Sequence, residues 1–488
     1  MIPLGEWLPD RPALENPGAL EALNVIPRAG GYGPLKSLLP SGGGAGAARL
    51  QGAASFRSTD LSVKNFCGAA TALYKFDGTA WSDVSRTAGG AYGCPAEGMW
   101  RFAQFGDLAI AVNGVDAPQK FVMASGTAFT ALGGSPPLAR HVATVRDFVV
   151  MARDPSFTNR VQWSGINDAE SWTPSAATQA DQQDLPDGGQ IMGLVGGEYG
   201  LVFQEHAIRR MTYVGSPLVF QIDKIAIDKG ALCEYSIAAH ERRAFFVAHD
   251  GIYMLAAGQE LVPIGAEKVD RTFLADLNAS YLHRVTGAID PIAKLYVLSY
   301  PSRDSADGTP DRLLIYNWQL QRWARGLVAC DFVYSAFSQS VWHSDNIDAL
   351  LGHSDATLYS GDSALFAGSG VQALAAFTTD HKLGFFEGPS LGATVDTTEA
   401  QVTPGRRSFV TGARPRVDGA ATVSMRIGTR NLTTADPVWS GAVAMNGEGL
   451  CPFRASAVFH RGRIEIAAGG SWSCIQGLEV EARAEGVR

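Results

Sequence analysis

The chain has 488 residues, of which 46% are hydrophobic and only 18% are charged, against about 25% in a typical soluble protein. Glycine accounts for 55 of the 488 residues, about 11%, against a usual share near 7%. Much glycine with little charge favours a turn-rich, all-β chain of about three domains over a helical or a disordered one. The net charge of −8 lacks the basic surface with which most nucleic-acid-binding proteins bind phosphates.

No apolar run approaches the roughly 18 residues of a membrane span, and the first ten residues, MIPLGEWLPD, lack the basic and apolar regions of a secretory signal. We therefore expect a chain that is made in a cytoplasm and does not insert into a membrane. The cysteines form no Cys-x-x-Cys pair, which favours reduced, packed thiols over a disulfide or metal role. They are Cys67, Cys94, Cys233, Cys330, Cys451 and Cys474.

Residues 1–40 are rich in proline, which fixes φ and removes backbone donors, so they are predicted to form an extended arm. A short helical pattern near Leu14 to Val25 is predicted to be a connector within this arm. The next segment, SGGGAGAA from Ser41 to Ala48, is predicted to be a flexible hinge. An arm followed by a hinge suggests that residues 1–40 dock elsewhere than on the next domain. Arm and hinge together span residues 1–60, and the C-terminal domain is one candidate for their packing partner.

Between residues 61 and 375 one pattern recurs at intervals of 40 to 52 residues: a few small residues, a polar turn and a β-rich apolar run. Most copies are followed by a turn and an aromatic-ended strand. Two hairpins per period are typical of four-stranded propeller blades, which must stack around an axis to bury both faces of each sheet. We predict a β-propeller of six blades, with seven as the alternative count and a sandwich with long loops as the competing fold. The copies start at Phe102, Val142, Leu194, Ile237, Gly287 and Tyr334.

Two further segments complete the predicted architecture. The strand pair ALYKFDGTAW, Ala72 to Trp81, lies outside the six copies, and we expect it to join the last blade and close the ring. After residue 376 the repeat stops and strands alternate between apolar and polar residues, as in RIEIAA from Arg463. Residues 376–488 are therefore predicted to form a C-terminal antiparallel β domain. The pattern from Lys268 to Leu277 predicts one short helix.

Three motifs that suggest chemistry have simpler structural interpretations. GDSAL resembles the serine block of one lipase family but lies inside the repeat, which favours a turn role for Ser363. His343 and His353 have no third ligand nearby, which argues against a metal site. The acidic loop RDSADGTPD, from Arg303 to Asp311, resembles a calcium loop only loosely, and we predict a solvated hairpin tip.

FDGTAW, from Phe76 to Trp81, resembles turns that are structural in sialidase propellers. A sialidase would also need three convergent arginines, and the chain offers two doublets, Arg209–Arg210 and Arg242–Arg243. Adjacent residues on a strand point to opposite faces, so each doublet is predicted to supply at most one side chain to a common site. We predict that the chain has no catalytic residue, no metal ligand and no cofactor.

The two ends of the chain resemble tail nozzle proteins of short-tailed bacteriophages, also called tail tubular protein B-like or tail stabilisation proteins. The opening GEWLPD…NPGALEALNVIPRAGGYGPL is similar to their starts, and TPGRRSFVTGARPRVDG near the C-terminus and LLIYNWQLQRWARG in a predicted blade are similar to later segments. The arm residues that carry the resemblance are Trp7, Pro9 and Asp10; Asn24, Val25 and Pro27; and Gly31, Tyr32 and Pro34.

This resemblance implies a virion component of the phage tail without enzymatic activity, synthesised in the host cytoplasm. Its subunits would form a hexameric ring below the adaptor ring of the portal, which is also called the head-to-tail connector. Tail fibre or spike proteins would be further partners, and DNA would pass through the ring without specific binding. A net-acidic chain, which repels phosphate, fits such a conduit. The arm would contact a neighbouring subunit, and the interface residues predicted on this basis are Trp7, Pro9, Asp10, Asn24, Pro27 and Tyr32.

Two alternatives remain open. The first is a propeller glycosidase or depolymerase, which a turnover screen on sialosides and capsular polysaccharides would reveal. The second is a receptor-binding propeller at the tail periphery, which would require the isolated protein to bind host cells.

Overall fold

The protein consists almost entirely of β-strands, as predicted. A computed structural model describes residues 1–337 and 372–485, except for residues 15, 45, 47, 61 and 79. Within these residues, six four-stranded sheets and four strands of a ten-stranded sheet form a seven-bladed propeller. The rest of the ten-stranded sheet and a six-stranded sheet form a C-terminal sandwich. The few helical segments are short connectors: the 3-10 helices η1 Glu234–Ser236 and η2 Ala279–Arg284, and the α-helix α1 Asp270–Asp276, which confirms the predicted short helix.

The N-terminal arm is extended but contains five short strands. They are β1 Ile2–Pro3, β2 Glu21–Leu23, β3 Val25–Arg28, β4 Gly31–Pro34 and β5 Leu39–Gly44. The helix predicted near Leu14 to Val25 is wrong, because Ala22 pairs with Val395 of the C-terminal domain in an antiparallel ladder. Asn24 interrupts the segment with a φ of 56°, a left-handed conformation that asparagine tolerates.

The first four blades follow one another along the chain, each an antiparallel sheet in sequence order. Blade 1 contains β6 Leu50–Arg57, β7 Val63–Ala69, β8 Leu73–Phe76 and β9 Trp81–Asp83. Blade 2 contains β10 Arg101–Phe105, β11 Leu108–Val112, β12 Gln119–Val122 and β13 Thr130–Ala131. Blade 3 contains β14 His141–Val145, β15 Phe148–Asp154, β16 Phe157–Trp163 and β17 Asp181–Asp184. Blade 4 contains β18 Ile191–Val195, β19 Gly200–Gln204, β20 Ala207–Gly215 and β21 Val219–Ile227.

The last three blades complete the ring. Blade 5 contains β22 Ala238–His240, β23 Arg243–Ala248, β24 Gly251–Ala256 and β25 Glu260–Pro263. Blade 6 contains β26 Thr286–Asp290, β27 Leu295–Tyr300, β28 Arg312–Asn317 and β29 Arg322–Leu327. Blade 7 contains β30 Phe332–Phe337, β31 Gln372–Phe377 and β32 Lys382–Phe385, with β5 of the arm as its fourth strand.

The propeller has seven blades rather than six. The first five predicted copies are the inner hairpins of blades 2 to 6, and the unassigned pair at Ala72 to Trp81 is the outer part of blade 1. The sixth copy starts on β30 of blade 7 and continues beyond the described residues. The inner hairpin of blade 1 escaped detection because its first strand, LQGAASFR, lacks a continuous apolar run. The consecutive strands of the propeller therefore run from Leu50 to Phe385, with β5 added from the arm, rather than spanning 61–375.

The ring closes through the glycine-rich segment that was predicted to be a hinge. Strand β5 pairs antiparallel with β32, with Gly44 opposite Lys382 and Leu39 opposite Phe385. Innermost strands of blades 1 to 4 contact each other in turn, as do those of blades 5 to 7, and β30 of blade 7 contacts β6 of blade 1. A strand from before blade 1 thus covers the edge of blade 7, so the predicted closure by the pair at Ala72 to Trp81 is wrong.

Hydrophobic clusters fill the seven interfaces between adjacent blades in the described part of the chain. Phe203 of blade 4 packs against Phe246 of blade 5, with ring centroids 5.2 Å apart. The cluster between blades 5 and 6 continues into the C-terminal sandwich and the arm. Apolar burial on both faces of each sheet is what makes the blades interdependent.

The C-terminal domain is an antiparallel sandwich, as the alternating pattern predicted. Its strands are β33 Ala393–Asp396, β34 Ser408–Ala420, β35 Val423–Arg430, β36 Val438–Trp439, β37 Val443–Ala444, β38 Cys451–Ala457, β39 Phe459–Ile466 and β40 Ser471–Ala484. One sheet contains β34, β38 and β40 together with β1, β3 and β4 of the arm. The other contains β33, β35, β36, β37 and β39, and it is continuous with blade 6 because β2 pairs with both β29 and β33.

Candidate functional site: the arm, the axial channel and an arginine pocket

Two aromatic residues of the arm lie in the shared core of the sandwich and blade 6. Trp7 is only 2% exposed, and its indole N–H donates to the carbonyl of Leu20 at 3.3 Å. Tyr32 is fully buried, and its hydroxyl donates to the carbonyl of Gly5 at 2.8 Å. Burial raises the pKa of Tyr32 far above its ordinary value. Both side chains therefore anchor the arm inside its own chain.

Asp10 holds the start of helix α1, although it lies far from it in sequence. Its Oδ2 accepts the backbone N–H of Arg271 at 2.7 Å, and its Oδ1 accepts the N–H of Thr272 at 2.8 Å. The Thr272 hydroxyl donates to the same Oδ1 at 2.7 Å. These N–H groups lie in the first turn of the helix and have no partner within it. A residue of the arm thus fills the role that an N-cap residue usually has.

Asn24 connects blade 6 with the sandwich. Its side-chain oxygen accepts the backbone N–H of Leu327 at 2.8 Å, and its side-chain nitrogen donates to the carbonyl of Gly392 at 2.8 Å. Its own backbone N–H donates to the carbonyl of Arg325 at 2.7 Å. Pro27 is buried on β3 opposite Tyr32.

An ion pair that the sequence analysis missed reinforces this junction. Arg325 of blade 6 forms a two-pronged contact with Glu21 of the arm, Nε to Oε1 at 2.8 Å and Nη2 to Oε2 at 2.5 Å. Its guanidinium also lies 5.8 Å from the centroid of the Trp7 ring. A separation of 304 residues leaves no local pattern by which to pair the two side chains.

The six predicted interface residues thus bind parts of their own chain in this structure. Of these residues, only Pro9 keeps a partly exposed ring, while the side chains of Trp7, Asp10, Asn24, Pro27 and Tyr32 are buried. The five buried side chains are enclosed by residues of the same chain, and their contact with a neighbouring subunit stays a prediction. The physical reason for the enclosure is that the arm strands complete the open edges of β29, β33 and β40, which would otherwise expose unpaired backbone groups.

The innermost strands of blades 1 to 5 line an axial cavity of about 350 Å³. Most of its lining residues are small or apolar, such as Ala53, Ala103 and Gly196, and Gln104 and Thr144 add polar groups. Of the described residues that line it, only Arg101 is charged. Burial lowers the pKa of Arg101, whose guanidinium lies 5.8 Å from the centroid of the Tyr235 ring.

A buried carboxylate lies close to Arg101 at the start of the innermost strands. Oε1 of Glu234 is 2.5 Å from Nε of Arg140, and its Oε2 is 3.2 Å from Nη1 of Arg153. Oε1 is also 3.3 Å from Nε2 of His141, but the two atoms do not form a hydrogen bond. Burial opposes the charged form of Arg140, but Tyr235 and Glu234 outweigh it and raise its pKa. Burial, followed by the nearby arginines, lowers the pKa of His141 well below its ordinary value, so this histidine is neutral.

Further basic groups surround this end of the channel. Burial and then the Arg284 charge lower the pKa of Arg49, and burial lowers the pKa of Arg284 itself. His283 next to it also has a lowered pKa, from burial and then from Arg49 and Arg284. Within the described residues, the buried Nε of Arg284 has no hydrogen-bond partner. Arg49, His283 and Arg284 thus form a basic cluster whose charge Asp331 and Glu97 partly offset.

The two arginine doublets behave differently. Arg209 points into blade 4, where Nε donates to Gln204 at 2.8 Å and Nη2 contacts Asp187, while Arg210 points into a pocket between blades 4 and 5. This alternation confirms the prediction for the first doublet. Both members of the second doublet line the same pocket, so that prediction is wrong. The reason is that Arg242 lies in the two-residue turn before β23, where strand alternation does not apply.

The other sequence candidates have structural roles or lie outside the described residues. Asp307 accepts the backbone N–H of Thr309 at 3.0 Å within its own hairpin tip, as predicted. Trp81 packs against Phe76 with the two rings tilted and their centroids 5.0 Å apart. All six cysteines are free, and five of them are buried. Ser363, His343 and His353 lie outside the described residues.

No group of three or more potential metal-ligating side chains occurs among the described residues. In the same part of the chain, none of the helices is both long and apolar enough to span a membrane.

No protein-family model and no curated protein matches the chain. Similar solved structures include a chain of the mitotic checkpoint complex, with 9% identity, a TM-score of 0.39 and coverage of 74% of this chain and 97% of that chain. YCF48 bound to a D1 peptide has 10% identity, a TM-score of 0.36 and coverage of 62% and 86%. The computationally designed Ika8 protein has 10% identity, a TM-score of 0.36 and coverage of 72% and 99%. The propeller assignment rests on the strand pairing, and no function follows from these similarities.

Proposed function

We propose that this chain is a structural subunit of the tail of a short-tailed bacteriophage. Six copies form the nozzle ring below the adaptor, and the ring conducts the genome during ejection without catalysing a reaction. Tail fibre or spike proteins are its further partners. The proposal takes its identity from the sequence resemblance and its physical rationale from the arm.

The observation that carries the proposal is that the residues of the resemblance are those that lock the propeller to the sandwich. Asp10, Asn24 and Tyr32 each form hydrogen bonds to groups that are distant in sequence or buried in the shared core. Blade 6 and one sheet of the sandwich share a ten-stranded sheet through β2. A subunit built in this way resists rotation between its two domains, which suits a ring that carries mechanical load.

A surface for ring contacts is available on the outer hairpin of blade 4. Strands β20 and β21 are nine residues long, and their connection exposes 48% of Val214 and 57% of Leu218. Exposed apolar side chains grouped on one hairpin are typical of surfaces that another protein covers. A closed ring requires such a patch to meet a different surface of the next subunit.

The test is electron microscopy and native mass spectrometry of the purified protein, alone and mixed with the adaptor protein of the same phage. We expect hexameric rings under at least one of these conditions. The double substitution Val214→Lys and Leu218→Lys should abolish ring formation and leave the melting temperature unchanged. A wild-type protein that stays monomeric with the adaptor would contradict the proposal.

Ile292→Lys provides the matched control, because this residue is 65% exposed in a turn of blade 6 away from that hairpin. It should leave ring formation intact. A turnover screen on sialosides and capsular polysaccharides tests the enzyme alternative, and the proposal predicts no product.

A further inference from the structure

The cleft between blades 4 and 5 contains a pocket of about 430 Å³ that the structural role proposed above does not use. Its walls come from the β18–β19, β22–β23 and β24–β25 turns and from β20. The volume lies within the range of small-molecule sites, about 300–1,000 Å³. Three arginines line it, Arg210, Arg242 and Arg243, and we call it the arginine pocket.

The positive charge of the arginine pocket is only partly neutralised by the protein. Among the described residues, Arg242 has no side-chain hydrogen bond or ion pair, and the buried Nε of Arg210 has no hydrogen-bond partner. Arg243 contacts Glu241 at 3.4 Å, but the Glu241 side chain is 64% exposed and therefore held weakly. Glu198, the other carboxylate of the lining, is 82% exposed and 3.8 Å from Arg146, outside the pocket.

The pocket is also preorganised by one contact within blade 4 and one between blades 4 and 5. The guanidinium of Arg210 lies 4.3 Å from the centroid of the Tyr199 ring, a cation–π contact that orients both side chains. Tyr199 also packs against Gly258 of blade 5. The packing is so close that a Cβ added at Gly258 would lie 2.6 Å from a carbon of the Tyr199 ring. Leu201 and Ala239 add apolar surface to the wall.

We propose that the arginine pocket binds a small organic oxyanion, a carboxylate or phosphate group attached to a compact apolar body. Guanidinium groups match the planar geometry of two oxyanion oxygens and bind them through paired hydrogen bonds. Arg242 and Arg243 supply the charge, Arg210 supplies a buried N–H donor, and Tyr199 with Leu201 contacts the body of the ligand. An incoming oxyanion displaces the exposed Glu241 from Arg243.

The test is isothermal titration of the full-length protein with three probes at matched ionic strength: phenyl phosphate, benzoate and the neutral benzamide. We expect saturable binding of at least one anion and at least about tenfold weaker binding of benzamide. The two anions distinguish a phosphate ligand from a carboxylate ligand. Arg242→Ala should weaken anion binding at least about tenfold. Arg242→Lys should weaken it less, because the positive charge remains and only the planar, two-pronged geometry of the guanidinium is lost.

Arg406→Ala is the control, because it removes the same charge from an exposed loop of the sandwich. It should leave binding unchanged, and circular dichroism should show all variants folded. The proposal is overturned if neither anion binds saturably up to about 10 mM, the weak end of specific binding. Equal weakening by Arg242→Ala and Arg406→Ala would also overturn it, because it would show nonspecific charge attraction. Both results are independent of whether the protein forms rings.

Discussion

The side-chain oxygen of Asn24 accepts a hydrogen bond from the backbone N–H of Leu327 at 2.8 Å, across 303 residues of sequence. The same side chain donates to Gly392 at 2.8 Å, so one amide joins the last strand of blade 6 to the start of the sandwich. Its backbone φ of 56° is one that asparagine and glycine adopt more readily than other residues. Asn24 therefore contributes both hydrogen bonds and a permitted backbone conformation.

We predict that Asn24→Ala lowers the free energy of unfolding by about 3 kcal/mol, because it leaves buried groups unpaired and strains the backbone. Asn24→Gly removes the same hydrogen bonds but permits the positive φ, so it should cost about 1 kcal/mol less. Urea denaturation monitored by circular dichroism measures both values. Equal losses would show that the backbone conformation contributes nothing.

A second prediction concerns the cap that the arm places on helix α1. Asp10→Ala should lower the free energy of unfolding by about 2 kcal/mol, because the N–H groups of Arg271 and Thr272 lose their charged acceptor. Asp10→Asn retains one acceptor oxygen and should cost about half as much. Limited proteolysis offers an independent measurement, since the alanine variant should be cleaved faster within residues 1–20. An unchanged cleavage rate would mean that the cap does not hold the arm.

A third prediction follows from the first residue of helix α1. Burial, and after it the charges of Asp10 and Asp250, raises the pKa of Asp270 from 3.8 to about 6. Because the pKa is higher in the folded state than in the unfolded chain, ionisation of this group opposes folding. That cost is absent below about pH 4, grows as the pH rises, and is complete above about pH 6.

Asp270→Asn should therefore raise the melting temperature at pH 7.5 and have little effect at pH 4. The amide oxygen can still accept the N–H of Ile252, which bonds the carboxylate at 3.0 Å in the wild type. Differential scanning calorimetry of both proteins across this pH range tests the prediction. A stabilisation that does not depend on pH would assign the effect to packing rather than to charge.

A fourth prediction concerns the buried carboxylate at the end of the channel. Glu234→Gln should lower the free energy of unfolding by about 3 kcal/mol, because Arg140 and Arg153 lose their counter-charge in a largely buried site. Glu481→Gln is the matched control: its partner Arg414 is at the surface, 3.1 Å away, and the change should cost less than about 1 kcal/mol. Similar losses for the two variants would mean that the buried position adds nothing.

The repeat and the alternating strands were predictable because both depend on local periodicity. The inner hairpins starting near Phe102 and Val142 are strongly apolar with a polar turn, and they form β10–β11 and β14–β15. The first blade was missed because β6 is weakly apolar, and the arm helix was wrongly predicted because its short pattern gave no sign of pairing with β33. The use of β5 in blade 7 depends on ring closure rather than on its own glycine-rich residues.

Hydrophobic period and proline content act over a few residues, so they were enough to predict the all-β class, the propeller repeat, the C-terminal domain and the arm as a separate segment. The number of seven blades, the binding of the arm to its own chain and the shared pocket of Arg210, Arg242 and Arg243 emerged only from the folded structure. These outcomes depend on contacts between residues far apart in the chain. Backbone pairing and burial at such distances leave no periodic trace in the sequence.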